Sequence, residues 1–166
     1  MGKSADLLLR NLEQAFEGPA WHGPSLRAAI RGLKPKAAAW RLAKGRHCIW
    51  ELILHAAYWK YAVRRRLTGD QRGSFARKGT NFFPLPEPAD DSALRDDIAL
   101  LRDEHARLCE TVAKLSDSDL ERPARGSKWS NGAMIQGVAY HDIYHAGQIQ
   151  LLKRAHTAGA TGRGRG

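Results

Sequence analysis

The sequence predicts an all-α protein, a four-helix bundle. Three observations lead there. Apolar residues recur at steps of three and four in four separate stretches, no stretch alternates as a strand would, and Gly/Pro-rich or polar segments divide the four. With 166 residues, 43% hydrophobic and 27% charged, the chain is one domain in size and can bury a core. That domain is placed at residues 1–155, and 156–166, "HTAGATGRGRG", read as a disordered basic tail.

The first helix is "SADLLLRNLEQAFEG". Leu8, Leu12, Ala15 and Phe16 share a face, Ser4 is a candidate N-cap, and Gly18-Pro19 stops it. A Gly/Pro-punctuated turn, "PAWHGPSL", leads into a short helix from Ser25, and "KPKAAAWRLAKGRH" reads as a basic connection. The second long helix is "CIWELILHAAYWKYAVRRRLTG", with Ile49, Leu52, Ile53, Ala56, Trp59 and Val63 on its apolar face and Gly69 at its end. The loop "DQRGSFARKGTNFFPLPEPAD" is long enough to suggest a role beyond connection, and its aromatic part could close over a site. The third helix begins at Asp91 and carries Leu94, Ile98, Leu101, His105, Leu108 and Val112 on one side. After a polar loop, the fourth starts near Ser130 and runs to about Ala155.

Lys and Arg number 27 against 17 Asp and Glu, a formal net charge of +10. Four of the ten come from Lys153, Arg154, Arg163 and Arg165, and the rest is dispersed along helices. No nucleic-acid reader motif is present and the aromatics fall at core spacing, so nucleic acid is not the expected partner. The N-terminal segment lacks the apolar core of a signal peptide, and no run approaches the ~18–20 apolar residues of a membrane span. Cys48 and Cys109, far apart and outside any CxxC pattern, read as buried thiols of a reduced compartment. A cytoplasmic protein with a small-molecule substrate is expected.

On the fourth helix Met134, Val138, His141, His145, Gln148 and Leu152 fall on one stripe. One histidine there would usually be a hydrogen-bonded core residue. Two at i, i+4 point the same way, and a transition metal can bridge them. His55, midway along the second helix, can complete a three-histidine set with open positions, the pattern of a catalytic site. Glu51, one turn before His55, could accept a ring N–H, act as a base, or simply favour the helix N-terminus. Gln148 and Trp59 are candidate pocket residues. Trp21 and His22 could cap the mouth of such a pocket or merely join two helices with the Trp packed. Asp142 points about 100° from His141 and should bond a neighbouring helix. Tyr140, Tyr144 and His105 read as packing residues.

"IWELILHAAYWKYAVRRRLTG", "HDIYHAGQIQLLKR" and the "WHGPSL" turn together resemble the DinB/YfiT-like superfamily from the first helix to about residue 155. The resemblance implies an up-down-down-up bundle, often homodimeric, with a divalent metal, usually nickel or zinc, on His55, His141 and His145. It implies either a metal-dependent hydrolase or a transferase of low-molecular-weight thiols such as bacillithiol or mycothiol, a group that also includes a thiol-dependent maleylpyruvate isomerase. The competing expectation is a non-catalytic dimeric bundle in which the metal or the histidines are only structural.

Overall fold

A computed structural model describes residues 3–73 and 75–162, except for the side chains of 160–162. Four long helices form it: α1 (Lys3–Phe16), α4 (Ile49–Thr68), α5 (Asp91–Val112) and α7 (Asn131–Gly162). Three short ones, α2 (Leu26–Ile30), α3 (Pro35–Ala39) and α6 (Asp117–Glu121), lie in the connections. There is no strand among the described residues, only two isolated bridges. No helix is long and apolar enough to cross a membrane.

The helix boundaries follow local chemistry. Ser25 Oγ accepts from Ala28 N and starts α2, while its hydroxyl donates to the Glu17 carbonyl at the end of the preceding turn. Asp90 caps α5 through Ala93 N at 2.9 Å, and Ser130 caps α7 through Ala133 N at 3.2 Å. Gly69 closes α4 at φ 79°, a left-handed conformation that a side chain would strain. The two short helices not expected from periodicity have their own signals. Pro35 sits in the first turn of α3, and Ser116 and Asp119 form a capping box on α6. The last helix runs to Gly162, past the expected end at Ala155; residues 163–166 of the expected tail lie outside the described residues. Lys153 donates to the Ala29 carbonyl at 2.9 Å.

Around the bundle, α4 packs on α5 and α7, and α1 packs on the same two helices. The apolar core has two halves. One joins α2, the first half of α4, Leu94 and Leu101 of α5, and Ala146 and Ile149 of α7. The other joins α1, Val63, Leu108, Val112, Ile135, Val138 and Ala139. On α4, α5 and α7 the two sets are separated by buried polar residues. Lys60 and Asp142, both fully buried, form an ion pair, and His105 stacks on Phe16 at 4.0 Å. Lys60 Nζ also lies 4.9 Å from the centre of the Phe16 ring. A buried charged pair needs such partners, because desolvating either charge alone is expensive.

The same layer fixes the rotation of α7. Its buried residues are Ile135, Val138, Ala139, Asp142, His145, Ala146 and Ile149, so Val138 and His145 of the histidine stripe are buried too, while His141 is half-buried. Asp142, fully buried, is bonded to a neighbouring helix as its direction required.

Candidate metal centre

Three histidines converge where α4 meets α7. His141 Nε2 lies 3.0 Å from His55 Nε2 and 3.0 Å from His145 Nε2. One ligand atom from each ring lies within 4.8 Å of the others. The i, i+4 spacing on α7 brings two of them together. The α4–α7 contact brings the third across 86 residues of sequence.

The other ring nitrogens fix the tautomers. His55 Nδ1 donates to the Asn81 carbonyl at 2.9 Å, and His145 Nδ1 donates to Gln148 Oε1 at 2.7 Å. Both Nε2 atoms therefore carry lone pairs, and both face His141 Nε2. A single N–H on His141 could satisfy only one of them. His141 Nδ1 is buried with no hydrogen-bond partner among the described residues. The three rings thus bring together more lone pairs than protons, and a cation at their meeting point resolves the mismatch. The donor set fits a borderline divalent transition metal.

Electrostatics favour the neutral rings that a metal needs. Burial lowers the His141 pKa to about 3, helped by His145, His55 and Lys60. Burial likewise lowers His145 to about 4 against the bond to Gln148. His55 is lowered by burial, which outweighs its bond to Asn81.

The aromatic loop reaches the site. Phe82 lies flat on His55, 4.2 Å between centres and 8° between planes. His47 stacks on Phe82 in turn, at 3.6 Å and 5°. Asn81 adopts φ 66°, a left-handed conformation that asparagine tolerates. Its carbonyl accepts from His55 and its side chain accepts from the Trp59 indole N–H at 3.0 Å. Neither Asn81 nor His47 stood out in the sequence; Asn81 lies in an irregular loop, and His47 precedes its helix.

Glu51 sits elsewhere. Arg41 grips it with two bonds of 2.6 and 2.9 Å, and it accepts from Cys48 N at 2.9 Å. Burial alone would raise its pKa, but Arg41, Cys48 and His47 hold it at about 2. It makes no bond to His55 and is committed to the start of α4, the helix-terminal reading of this residue. Trp21 is fully exposed and His22 is exposed, and neither lines a cleft with the histidines. Tyr140 and Tyr144 also face outward instead of packing. Gln148 and Trp59 do border the site. Cys48 and Cys109 line neither cleft; burial raises the Cys48 pKa and lifts that of Cys109 to about 11, far from a nucleophile's range.

A cleft of about 580 Å³ opens beside all three histidines. Leu42, Leu52, Phe82, Leu151 and Leu152 make it apolar, while Arg46, His47 and Gln148 add polar groups. Among the described residues no carboxylate lines it.

A family model described as the DinB superfamily matches residues 20–149, which include the three histidines and the loop that covers His55. No curated protein and no solved structure matches the chain.

Proposed function

The chain belongs to the DinB superfamily, and from that premise we propose that it is a metal-dependent enzyme acting on a small molecule, with the metal held by His55, His141 and His145. One observation carries the reading: three neutral imidazoles, two buried and that of His141 half-buried, turn their Nε2 atoms toward one point while second partners hold two of the rings in place. A divalent nickel or zinc ion there would lower the pKa of a bound water or thiol. The protein's part is positioning and exclusion. Asn81 and Gln148 keep the Nδ1 protons of His55 and His145, and Phe82 shields one face of His55 from water.

Between hydrolysis and thiol transfer, the surroundings favour transfer. Among the described residues no carboxylate lines the cleft to serve as a general base, and Arg46 and His47 suit an anionic thiol cofactor. The bundle is proposed to run up-down-down-up and to work in the cytoplasm. The test is conjugation of 1-chloro-2,4-dinitrobenzene to bacillithiol, mycothiol or cysteine by the nickel- or zinc-loaded protein. A metal-dependent rate that falls at least a hundredfold in His145→Ala supports transfer. Hydrolysis of 4-nitrophenyl acetate without thiol would favour the hydrolase reading.

The alternative is a non-catalytic dimer stiffened by the metal. It draws support from Tyr140, Tyr144 and Leu151, large side chains exposed along α7. Retained metal, a stable dimer and no turnover with either substrate class would favour it.

A further inference from the structure

A second cleft, of about 410 Å³, shares only His141 with the first. Trp59, Trp129, Met134, Gly137 and Tyr140 line it with that histidine, and among the described residues no charged side chain is in its walls. Its size is that of a small-ligand site, for which about 300–1,000 Å³ is usual. Trp59 joins it to the histidines. Its ring meets His141 edge-on at 6.2 Å and His55 at 6.3 Å, and the Asn81 bond holds the indole.

Gly137 is the informative residue. It lies well inside α7, where glycine costs about 1 kcal/mol relative to alanine. The usual compensation is a close neighbour that leaves no room for a Cβ. Gly132 has one, since a Cβ there would sit 3.3 Å from the Leu120 carbonyl oxygen. At Gly137 a Cβ would meet nothing within 4 Å. Gly147 and Gly159 of α7 are equally unconfined, but of the three it is Gly137 that lines this cleft, where the missing side chain leaves open space in the wall. Beside that space Trp129 is 57% exposed, with the Lys128 ammonium 5.4 Å from the centre of its ring.

We propose that this cleft binds an aromatic or other flat apolar group of the substrate, between Trp59 and Trp129 and beside the metal-binding His141. The assignment of that ligand as substrate rests on the metal-centre reading. Ring stacking and apolar burial would supply the affinity, and the uncharged walls would discriminate against a charged group at this end.

The test uses N-phenyl-1-naphthylamine, a neutral dye that fluoresces in apolar sites. It is titrated into the metal-free and the Co²⁺-loaded full chain. Saturable binding at one site is expected, weakened at least tenfold in Gly137→Leu and Trp129→Ala and unchanged in Leu7→Ala. Gly137→Leu should keep or raise the melting temperature, because the new side chain enters open space and leucine is the better helix former. Dye binding should also shift the visible spectrum of bound Co²⁺. Equal affinity in all variants would overturn the cleft assignment. So would a wild type that binds no dye and whose oligomeric state changes with Gly137→Leu, since a second copy would then cover the face. Dye binding that leaves the Co²⁺ spectrum unmoved would overturn the substrate assignment. Failure of the metal reading is distinguishable: the protein would bind no Co²⁺ yet still bind the dye, and the ligand would then be no substrate of such a centre.

Discussion

Gln148 touches His145 Nδ1 at 2.7 Å and fixes which nitrogen of that ring faces the other two histidines. Gln148→Leu removes the acceptor while leaving the helix and all three ligands in place. It should weaken metal affinity by about 10–100-fold, as loss of such supporting bonds does elsewhere. Competitive titration of Ni²⁺ against a chromophoric chelator measures this, and an unchanged affinity would mean that the tautomer is set by other means. At this scale the sequence was most informative where spacing alone determines geometry. His141 and His145 had to share a face of a helix. Glu51 stayed open among three roles because its position one turn before His55 says nothing of Arg41, which comes from an irregular connection and takes both carboxylate oxygens. Asn81 was invisible because its contribution is a backbone carbonyl, presented by a left-handed conformation in a loop without periodicity.

Helix α7 is rotated so that Asp142 is fully buried beside the histidine stripe, of which Val138 and His145 are buried and His141 is half-buried. Periodicity could not decide this, since adjacent stripes differ by one residue and the partner of Asp142 lies 82 residues away on α4. The pair makes a prediction at the level of packed elements. Lys60→Met leaves a buried carboxylate without its cation and should cost about 3–5 kcal/mol, whereas Lys60→Met with Asp142→Leu should recover most of the loss. Urea denaturation of the single and double variants decides it. Equal destabilisation by both would show that the apolar replacements do not fit. The same elements show why fold class was readable. Four long helices carry a repeating signal, although the expected N-cap of α1, Ser4, lies inside a helix that begins at Lys3, while α3 and α6, of five residues each, are too short to show one.

The molecule as a whole divides its core at the polar layer, and that division should appear in its response to acid. Burial lowers the His105 pKa to about 3, with Lys60 adding to the effect, against an unfolded value near 6.5. Between those values the unfolded chain binds a proton that the folded chain refuses, so stability falls as pH drops from about 6.5 toward 3. His141 and His145 act in the same direction in the metal-free protein. In metal-free protein, His105→Gln should therefore lose less stability between pH 7 and pH 4.5 than the wild type. Denaturation midpoints at the two pH values check this, and parallel losses would place the proton uptake on other groups.

Everything proposed about chemistry depends on one property of the whole chain, the capacity of its three convergent histidines to hold an ion. The direct measurement is elemental analysis of untagged protein purified without chelator and dialysed after loading, beside His55→Ala, His141→Ala and His145→Ala. About one divalent transition metal per chain is expected in the wild type and a loss of at least tenfold in each variant, with helical content by circular dichroism preserved. A wild type that holds no metal after loading, or variants that keep the full complement, would contradict it.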